Sequence, residues 1–201
     1  MIPYSRMRVL PQTPLDWVLL AVAAATGVII AVALQDFFID SRVNNPRIRA
    51  LQDVGVGLAV VHFGGMLLLG SASPRWAAAG IGMYVAATLL FLSALESARR
   101  VQLPRTLVDE PMPKALITTG PFALVRHPFY VAYSLAWLAA PVATHGPLIT
   151  LSGLLAVATY VVAARREERL LEAHFGDLYR AYRAKAGLIV PSLPALVRAF
   201  R

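Results

Sequence analysis

Residues 116–130 contain the first group of side chains that are suited to chemistry. A Gly-Pro turn at 120–121 leads to Arg126 and His127, and Pro128 then fixes the backbone in the first turn of an apolar helix, where a missing N–H group costs little. Taken alone, Arg126 is typical of an anchor at a membrane boundary and His127 of a polar cap. The pair becomes a candidate site when a second polar group accompanies it.

Residues 165–183 contain that second group, with adjacent carboxylates at Glu167 and Glu168. Because neighbouring residues on a helix point about 100° apart, the two glutamates cannot face one site, and one is expected to be solvated or paired with arginine. The apolar residues that follow recur at helical spacing. They predict an amphipathic helix, on the bilayer surface or against a helical bundle, that covers a pocket. These apolar residues are Leu171, Phe175, Leu178 and Tyr182.

The composition indicates what kind of protein positions these groups. Of the 201 residues, 58% are hydrophobic and 15% are charged, which leaves too little polar surface for a soluble domain. The net charge of +8 lies beside apolar segments, so anionic lipid head groups, and not nucleic acid, are the expected partners of the basic side chains. The absence of cysteine excludes disulfides and thiolate ligands. No sequence pattern indicates a metal site or a nucleoside triphosphate.

Five apolar segments have the length and character of membrane-spanning helices. They predict an all-α fold, a polytopic integral membrane bundle of about five transmembrane helices with a cytoplasmic C-terminal amphipathic helix. We interpret residues 1–201 as one membrane domain, in which three helices within 1–98 precede a connector at 99–128, two helices within 129–164 and a C-terminal helix and tail at 165–201. The predicted spans are 17–39, 54–69, 76–95, 129–143 and 148–164.

Lysine and arginine are distributed unevenly between the two sides of this predicted bundle. Only Arg6, Arg8 and Arg75, of 19 basic side chains, lie on the side of the N-terminus. The positive-inside rule therefore predicts an N-terminus outside and a connector and tail in the cytoplasm.

Within the predicted spans, small and polar residues are expected to serve helix packing. Glycine lets helices approach closely, which in lipid replaces the missing hydrophobic drive between them. His62 lies inside the second span, where a polar group is costly, and is either functional or, more simply, hydrogen-bonded to another helix. The glycines concerned are Gly55, Gly57, Gly64, Gly65, Gly80 and Gly82.

The two polar groups together form an ordered set of motifs. A Gly-Pro-aromatic turn, Arg-His-Pro-x-Tyr, a pair of apolar spans, Glu-Glu-x-x-Leu, Phe-Gly-x-x-Tyr-x-x-Tyr and a later proline follow one another over about residues 114–194. In this order and spacing the sequence resembles the isoprenylcysteine carboxyl methyltransferase family and the related membrane phospholipid methyltransferases.

The resemblance implies a cytoplasmic S-adenosylmethionine pocket under the C-terminal helix, with S-adenosylhomocysteine as product and a lipophilic acceptor entering from the bilayer. It places catalytic roles on Arg126 and Arg183, either of which would orient an acceptor carboxylate, and on Glu168. Phe122 replaces the tyrosine common in the family's turn, so no ring hydroxyl acts there. Cofactor-binding roles fall on Gly120, Pro121, His127, Pro128, Tyr130, Glu167, Tyr179 and Tyr182.

The acceptor stays open at this point. Carboxyl O-methylation of an isoprenylcysteine-like substrate is the first hypothesis, and N-methylation of a phospholipid amine, which requires a base, is the alternative. An NADPH-dependent membrane reductase of the sterol type shares part of the C-terminal pattern. A non-catalytic membrane adaptor or transporter would use the same polar residues as interface anchors. The sequence does not determine the oligomeric state.

Overall fold

The computed structural model describes residues 13–38, 46–101 and 115–192. Within these ranges the chain is helical, apart from turns and one isolated parallel bridge between Val125 and Gly187. A short 3₁₀ helix, Gly120–Ala123, lies between the third and fourth α-helices. The α-helices are α1 (Pro14–Phe38), α2 (Pro46–Leu69), α3 (Pro74–Val101), α4 (Pro128–Thr144), α5 (Pro147–Phe175) and α6 (Asp177–Arg183).

Proline begins each of the five long helices. These prolines are Pro14, Pro46, Pro74, Pro128 and Pro147. Proline suits the first helical position because its fixed φ is already helical and the N–H group it lacks would have no partner within the helix. The chain therefore marks its helix starts locally, before any packing is considered.

Three helices are long and apolar enough to cross a membrane among the residues that the structure describes. They are contained in Pro14–Ala33, Pro74–Arg100 and Pro147–Phe175. The predicted fold class, a helical membrane protein, is confirmed by these helices. In α2 the described apolar part is the shorter Gly57–Leu69, and α4 has 17 residues, so the count of five spans stays a prediction.

The described helices form two compact units. The first comprises Met1–Thr88 and Ser134–Ala156. All six predicted close-packing glycines belong to it, and two of them have close neighbours: a Cβ atom on Gly80 would lie 2.8 Å from the Cβ of Ala143, and one on Gly65 would lie 2.7 Å from Ile149. The buried core of this unit contains Leu19, Ala23, Met66, Tyr84, Ala139, Ala140, Ala143 and Ile149. By contrast, Gly57, Gly64 and Gly82 have no such neighbour within 4 Å among the described residues, and the side-chain side of Gly55 is outside them.

His62 makes the expected hydrogen bond between helices in the first unit. Its Nδ1 atom lies 3.3 Å from the Ser152 hydroxyl, which connects α2 to α5. The ring is buried and meets Trp137 edge to face, with centroids 4.9 Å apart. Packing accounts for Nδ1 and the ring, whereas Nε2 is buried without a hydrogen-bond partner among the described residues.

The second unit comprises Leu89–Tyr133 and Val157–Arg201. Here the structure corrects one expectation, because no single amphipathic helix covers residues 171–182. Helix α5 continues through residue 164 to Phe175, and Gly176, with φ of 55°, turns the chain into the separate α6. The predicted apolar stripe is divided between two helices, with Leu171 and Phe175 on α5 and Leu178 and Tyr182 on α6. Within α6, Leu178 is 61% exposed whereas Tyr182 is 7% exposed.

Candidate active site

The turn that follows the connector is built around Gly120 and Phe122. Gly120 has φ of 59°, a left-handed conformation that favours glycine, and Pro121 follows at the start of the 3₁₀ helix. The Phe122 ring is buried and packs edge to face on Phe129, with centroids 6.1 Å apart. Its backbone carbonyl accepts a hydrogen bond of 2.7 Å from the Tyr182 hydroxyl. The first motif is thereby tied to α6.

A backbone pairing joins the same turn to the segment after α6. The Arg126 amide donates to the Gly187 carbonyl at 2.7 Å, and the Gly187 amide donates to the Leu124 carbonyl at 3.0 Å. The His127 amide donates to the Leu188 carbonyl at 3.2 Å. These three bonds fix the backbone at the two basic residues that the sequence singled out.

The Arg126 side chain is buried, and its Nε and Nη1 atoms donate to protein acceptors. Its Nε atom donates to Glu168 at 2.5 Å, and Nη1 donates to the carbonyls of Arg183, at 3.2 Å, and Ala186. The side chains of Arg126 and Glu168 are 8% and 12% exposed. The prediction that one of the adjacent glutamates pairs with arginine is confirmed by this ion pair.

Tyr179 completes the surroundings of Glu168. The tyrosine is fully buried and its hydroxyl donates to the Glu168 carboxylate at 3.1 Å. Burial, and then the negative charge of Glu168, raise the pKa of Tyr179. The phenol therefore stays neutral and keeps donating across the physiological range.

Glu167, the neighbouring carboxylate on α5, joins the two sequence motifs. Its carboxylate accepts a hydrogen bond from the Tyr130 hydroxyl, and its Oε2 atom lies 3.5 Å from His127 Nδ1. The side chain is 49% exposed, whereas that of His127 is 6% exposed. The imidazole stacks on Tyr130, with centroids 5.6 Å apart and planes 18° apart. Residues about 40 positions apart in the chain thus form one cluster, which we call the Glu167 cluster: His127, Tyr130 and Glu167.

One polar atom of the Glu167 cluster has no hydrogen-bond partner among the described residues. This atom is His127 Nε2, which is buried and lies 3.7 Å from the Glu168 carboxylate, beyond hydrogen-bond distance. A buried polar atom without a partner is costly unless a ligand or water completes it. The cluster therefore has the chemistry of a binding site.

Two tyrosines extend the Glu167 cluster and were not predicted from the sequence. Tyr160 stacks on Tyr130, with centroids 5.6 Å apart, and lies 5.4 Å from the Tyr133 ring. Helical spacing contains the missing signal, because Tyr130 and Tyr133 are three residues apart on α4. Tyr160 and Glu167 are likewise seven residues apart, two turns of α5.

The remaining predicted residues lie outside this cluster. Arg183 is half-exposed and donates to Glu172 at 3.1 Å, and Pro128 is fully buried at the start of α4. Tyr182 lines a cavity of about 400 Å³. The other residues that line this cavity are Leu116, Thr118, Ala123, Leu178, Ala181 and Lys185. The structure therefore brings His127, Tyr130 and Glu167 together and places Tyr179 and Tyr182 in a separate buried group.

These observations define a helical membrane protein with a polar site assembled from two separated motifs. The model of the phospholipid methyltransferase family matches residues 75–178. Since the match covers just over half of the 201 residues, the chain belongs to this family. The resemblance noted in the sequence is confirmed.

The chain is similar to named proteins from bacteria. The chain is 36% identical over 70 residues to a methanethiol S-methyltransferase from a Pseudomonas species, covering 35% of this chain and 26% of the relative. It is 40% identical over 72 residues to methanethiol S-methyltransferase 2 of Bradyrhizobium diazoefficiens, covering 36% and 27%. It is 30% identical over 118 residues to the methanethiol S-methyltransferase of Pseudomonas deceptionensis, covering 57% and 43%. The chain thus spans less than half the length of these relatives.

Proposed function

We propose that the protein is an S-adenosylmethionine-dependent methyltransferase that acts on a small apolar or lipophilic acceptor. The observation that carries the proposal is the Glu167 carboxylate, which contacts His127 and Tyr130 and so unites the two motifs. Family membership supplies the reaction class.

The donor groups of the Glu167 cluster fit this cofactor. A half-exposed carboxylate accepts hydrogen bonds from ribose hydroxyls or an ammonium group, and Glu167 supplies one. Tyrosine faces attract a sulfonium cation, and the rings of Tyr133 and Tyr160 lie beside Tyr130. His127 Nε2 is a buried polar atom that has no hydrogen-bond partner among the described residues, and a polar group of the cofactor would supply one. These residues would hold the cofactor, which when bound supplies an electrophilic methyl group.

The protein's main task in such a transfer is placement. Bringing the acceptor atom into line with the methyl group, in a site from which water is excluded, contributes roughly 7 kcal/mol or more to lowering the barrier. The buried His127 ring, fixed by its backbone bond to Leu188 and by stacking on Tyr130, provides a rigid wall for this placement.

We propose a thiol as the acceptor. The relatives that carry a name are methanethiol S-methyltransferases. The carboxylate acceptor predicted first relied on Arg126 and Arg183, which already pair with Glu168 and Glu172 and give it no support. A thiol, unlike a carboxylate, is mostly protonated at neutral pH and needs a base, which typically contributes 10²- to 10⁴-fold. Glu167, beside His127, accepts that proton.

The cofactor is tested by calorimetric titration of the detergent-solubilised protein with S-adenosylhomocysteine and, separately, NADPH. We expect saturable S-adenosylhomocysteine binding by the wild type and by the control Glu96→Gln, which alters an exposed pair with Arg100. Glu167→Gln should bind at least about tenfold more weakly, because one charge-assisted contact is lost. Folded wild type that binds NADPH but not S-adenosylhomocysteine would overturn the proposal in favour of a reductase.

The acceptor is tested with methyl-labelled S-adenosylmethionine and a panel of methanethiol, a farnesylated cysteine carboxylate and a phospholipid amine. We expect label in the volatile thioether, and a rate at saturating S-adenosylmethionine that falls about 10²-fold or more in Glu167→Gln, which separates the role of Glu167 as base from its contact with the cofactor. Label in the methyl ester or the methylated amine alone would reject the thiol and restore one of the earlier hypotheses.

A further inference from the structure

We infer that Arg126 and Glu168 are positioning residues, which lock α6 and the segment after it onto the turn that carries His127. The inference rests on the proposed function only in assigning His127 to the cofactor site. It departs from the catalytic roles that the resemblance implied for both residues, because every contact described for the pair is with the protein itself.

The contacts of Arg126 come from three places in the chain. Glu168 belongs to α5, the Arg183 carbonyl is the last of α6, and the Ala186 carbonyl lies beyond it. The last carbonyls of a helix have no partner within the helix and favour a positive charge. The Arg126 guanidinium therefore caps α6 from outside, with Glu168 balancing its charge.

Glu168 also has a second hydrogen-bond donor, Tyr179. Tyr179, in the first turn of α6, donates to the same carboxylate oxygen that accepts from Arg126. The start of α6 is thereby attached to α5 through Glu168, and its end to the turn through Arg126. We call this arrangement the α6 latch: Arg126, Glu168 and Tyr179.

The α6 latch sets the position of His127 through the backbone. The amides of Arg126 and His127 donate to the carbonyls of Gly187 and Leu188, respectively. The Arg126 side chain donates to the Ala186 carbonyl in the same segment. A Cβ atom at Gly187 would lie 2.8 Å from the Ser192 amide, so this segment has little freedom to adjust. Release of the latch would free His127 without removing any atom of the Glu167 cluster.

The inference is tested with Arg126→Lys, since lysine keeps the charge but cannot direct donors to a carboxylate and two carbonyls at once. The matched control is Arg180→Lys, which changes an exposed arginine of α6 that pairs with Asp177. Hydrogen exchange of the amides of Arg126, His127 and Gly187 is measured in detergent, together with the KM for S-adenosylmethionine and kcat.

We expect exchange at these three amides to accelerate about tenfold or more in Arg126→Lys and not in the control, because local opening becomes easier. The KM should rise by a similar factor while kcat at saturation stays within about threefold, as for a change in placement without lost chemistry. Glu168→Asp, which shortens the carboxylate arm, should show the same pattern and serves if the lysine variant does not fold.

Unchanged exchange in a folded variant would overturn the inference. A fall in kcat of about 10²-fold with unchanged KM would also overturn it, because Arg126 and Glu168 would then act in the chemical step. The exchange measurement needs no methyltransferase activity. If the wild type fails to bind S-adenosylhomocysteine, the proposed function falls while the α6 latch is still judged by exchange alone.

Discussion

Replacement of Tyr182 by phenylalanine removes one hydroxyl group from a position that is 7% exposed. That hydroxyl donates to the Phe122 carbonyl at 2.7 Å and ties α6 to the turn of the first motif. Loss of a neutral hydrogen bond costs about 1 kcal/mol, and leaving a buried acceptor unsatisfied costs about 1–3 kcal/mol. We expect the free energy of unfolding to fall by about 2 kcal/mol. For a chain of 201 residues this lowers Tm by roughly 4–8 °C.

Thermal unfolding followed by circular dichroism in detergent measures this loss, with Tyr133→Phe as the matched control. Tyr133 belongs to the same unit and makes ring contacts but no hydrogen bond that the structure describes. The control should unfold within about 2 °C of the wild type. Equal Tm values for the two variants would refute the reasoning, because the bond to Phe122 would then contribute nothing.

Three further outcomes are expected. Gly80→Ala should destabilise the protein by about 1–3 kcal/mol because the new methyl group meets α4, whereas Gly82→Ala, which meets open space, should be neutral or slightly stabilising in the same unfolding assay. A double-mutant cycle of His62→Ala and Ser152→Ala should give a coupling of about 0.6 kcal/mol, and a coupling of zero would exclude the hydrogen bond. Burial raises the pKa of Tyr182, so the folded state favours the neutral phenol. The stability that this preference contributes is intact below about pH 10 and should be lost as the pH rises further. Unfolding measured between about pH 8 and 11 checks the start of this loss.

The helices were largely predictable because their signals are local. Apolar length and a proline at each start specify the five long helices without reference to their neighbours. The prediction of one amphipathic helix over residues 171–182 was wrong because the apolar spacing continues through Gly176, where the backbone leaves the helix. The spacing of apolar residues indicates which of them share a face only within one continuous helix.

The candidate site was predictable in its members and less so in their arrangement. Helical geometry predicted that Glu167 and Glu168 could not face one site, but both carboxylates lie within 4 Å of the His127 ring, Glu167 at Nδ1 and Glu168 at Nε2. Only the structure shows that Glu168 is the one paired with Arg126. For Tyr160, helical spacing indicates only that it shares a face of α5 with Glu167; its contact with Tyr130 and Tyr133, which lie on another helix, is shown by the structure. The orientation of the termini and the roles of the site residues stay predictions.

The main-chain acceptor at Phe122 has a consequence for how this family is compared by alignment. The bond from Tyr182 ends on a carbonyl oxygen, which every residue type possesses, so divergence at position 122 cannot delete it. The space beside Phe129 restrains drift there. A column that varies in an alignment can therefore still mark a main-chain contact, provided that the tyrosine at the position of Tyr182 is kept.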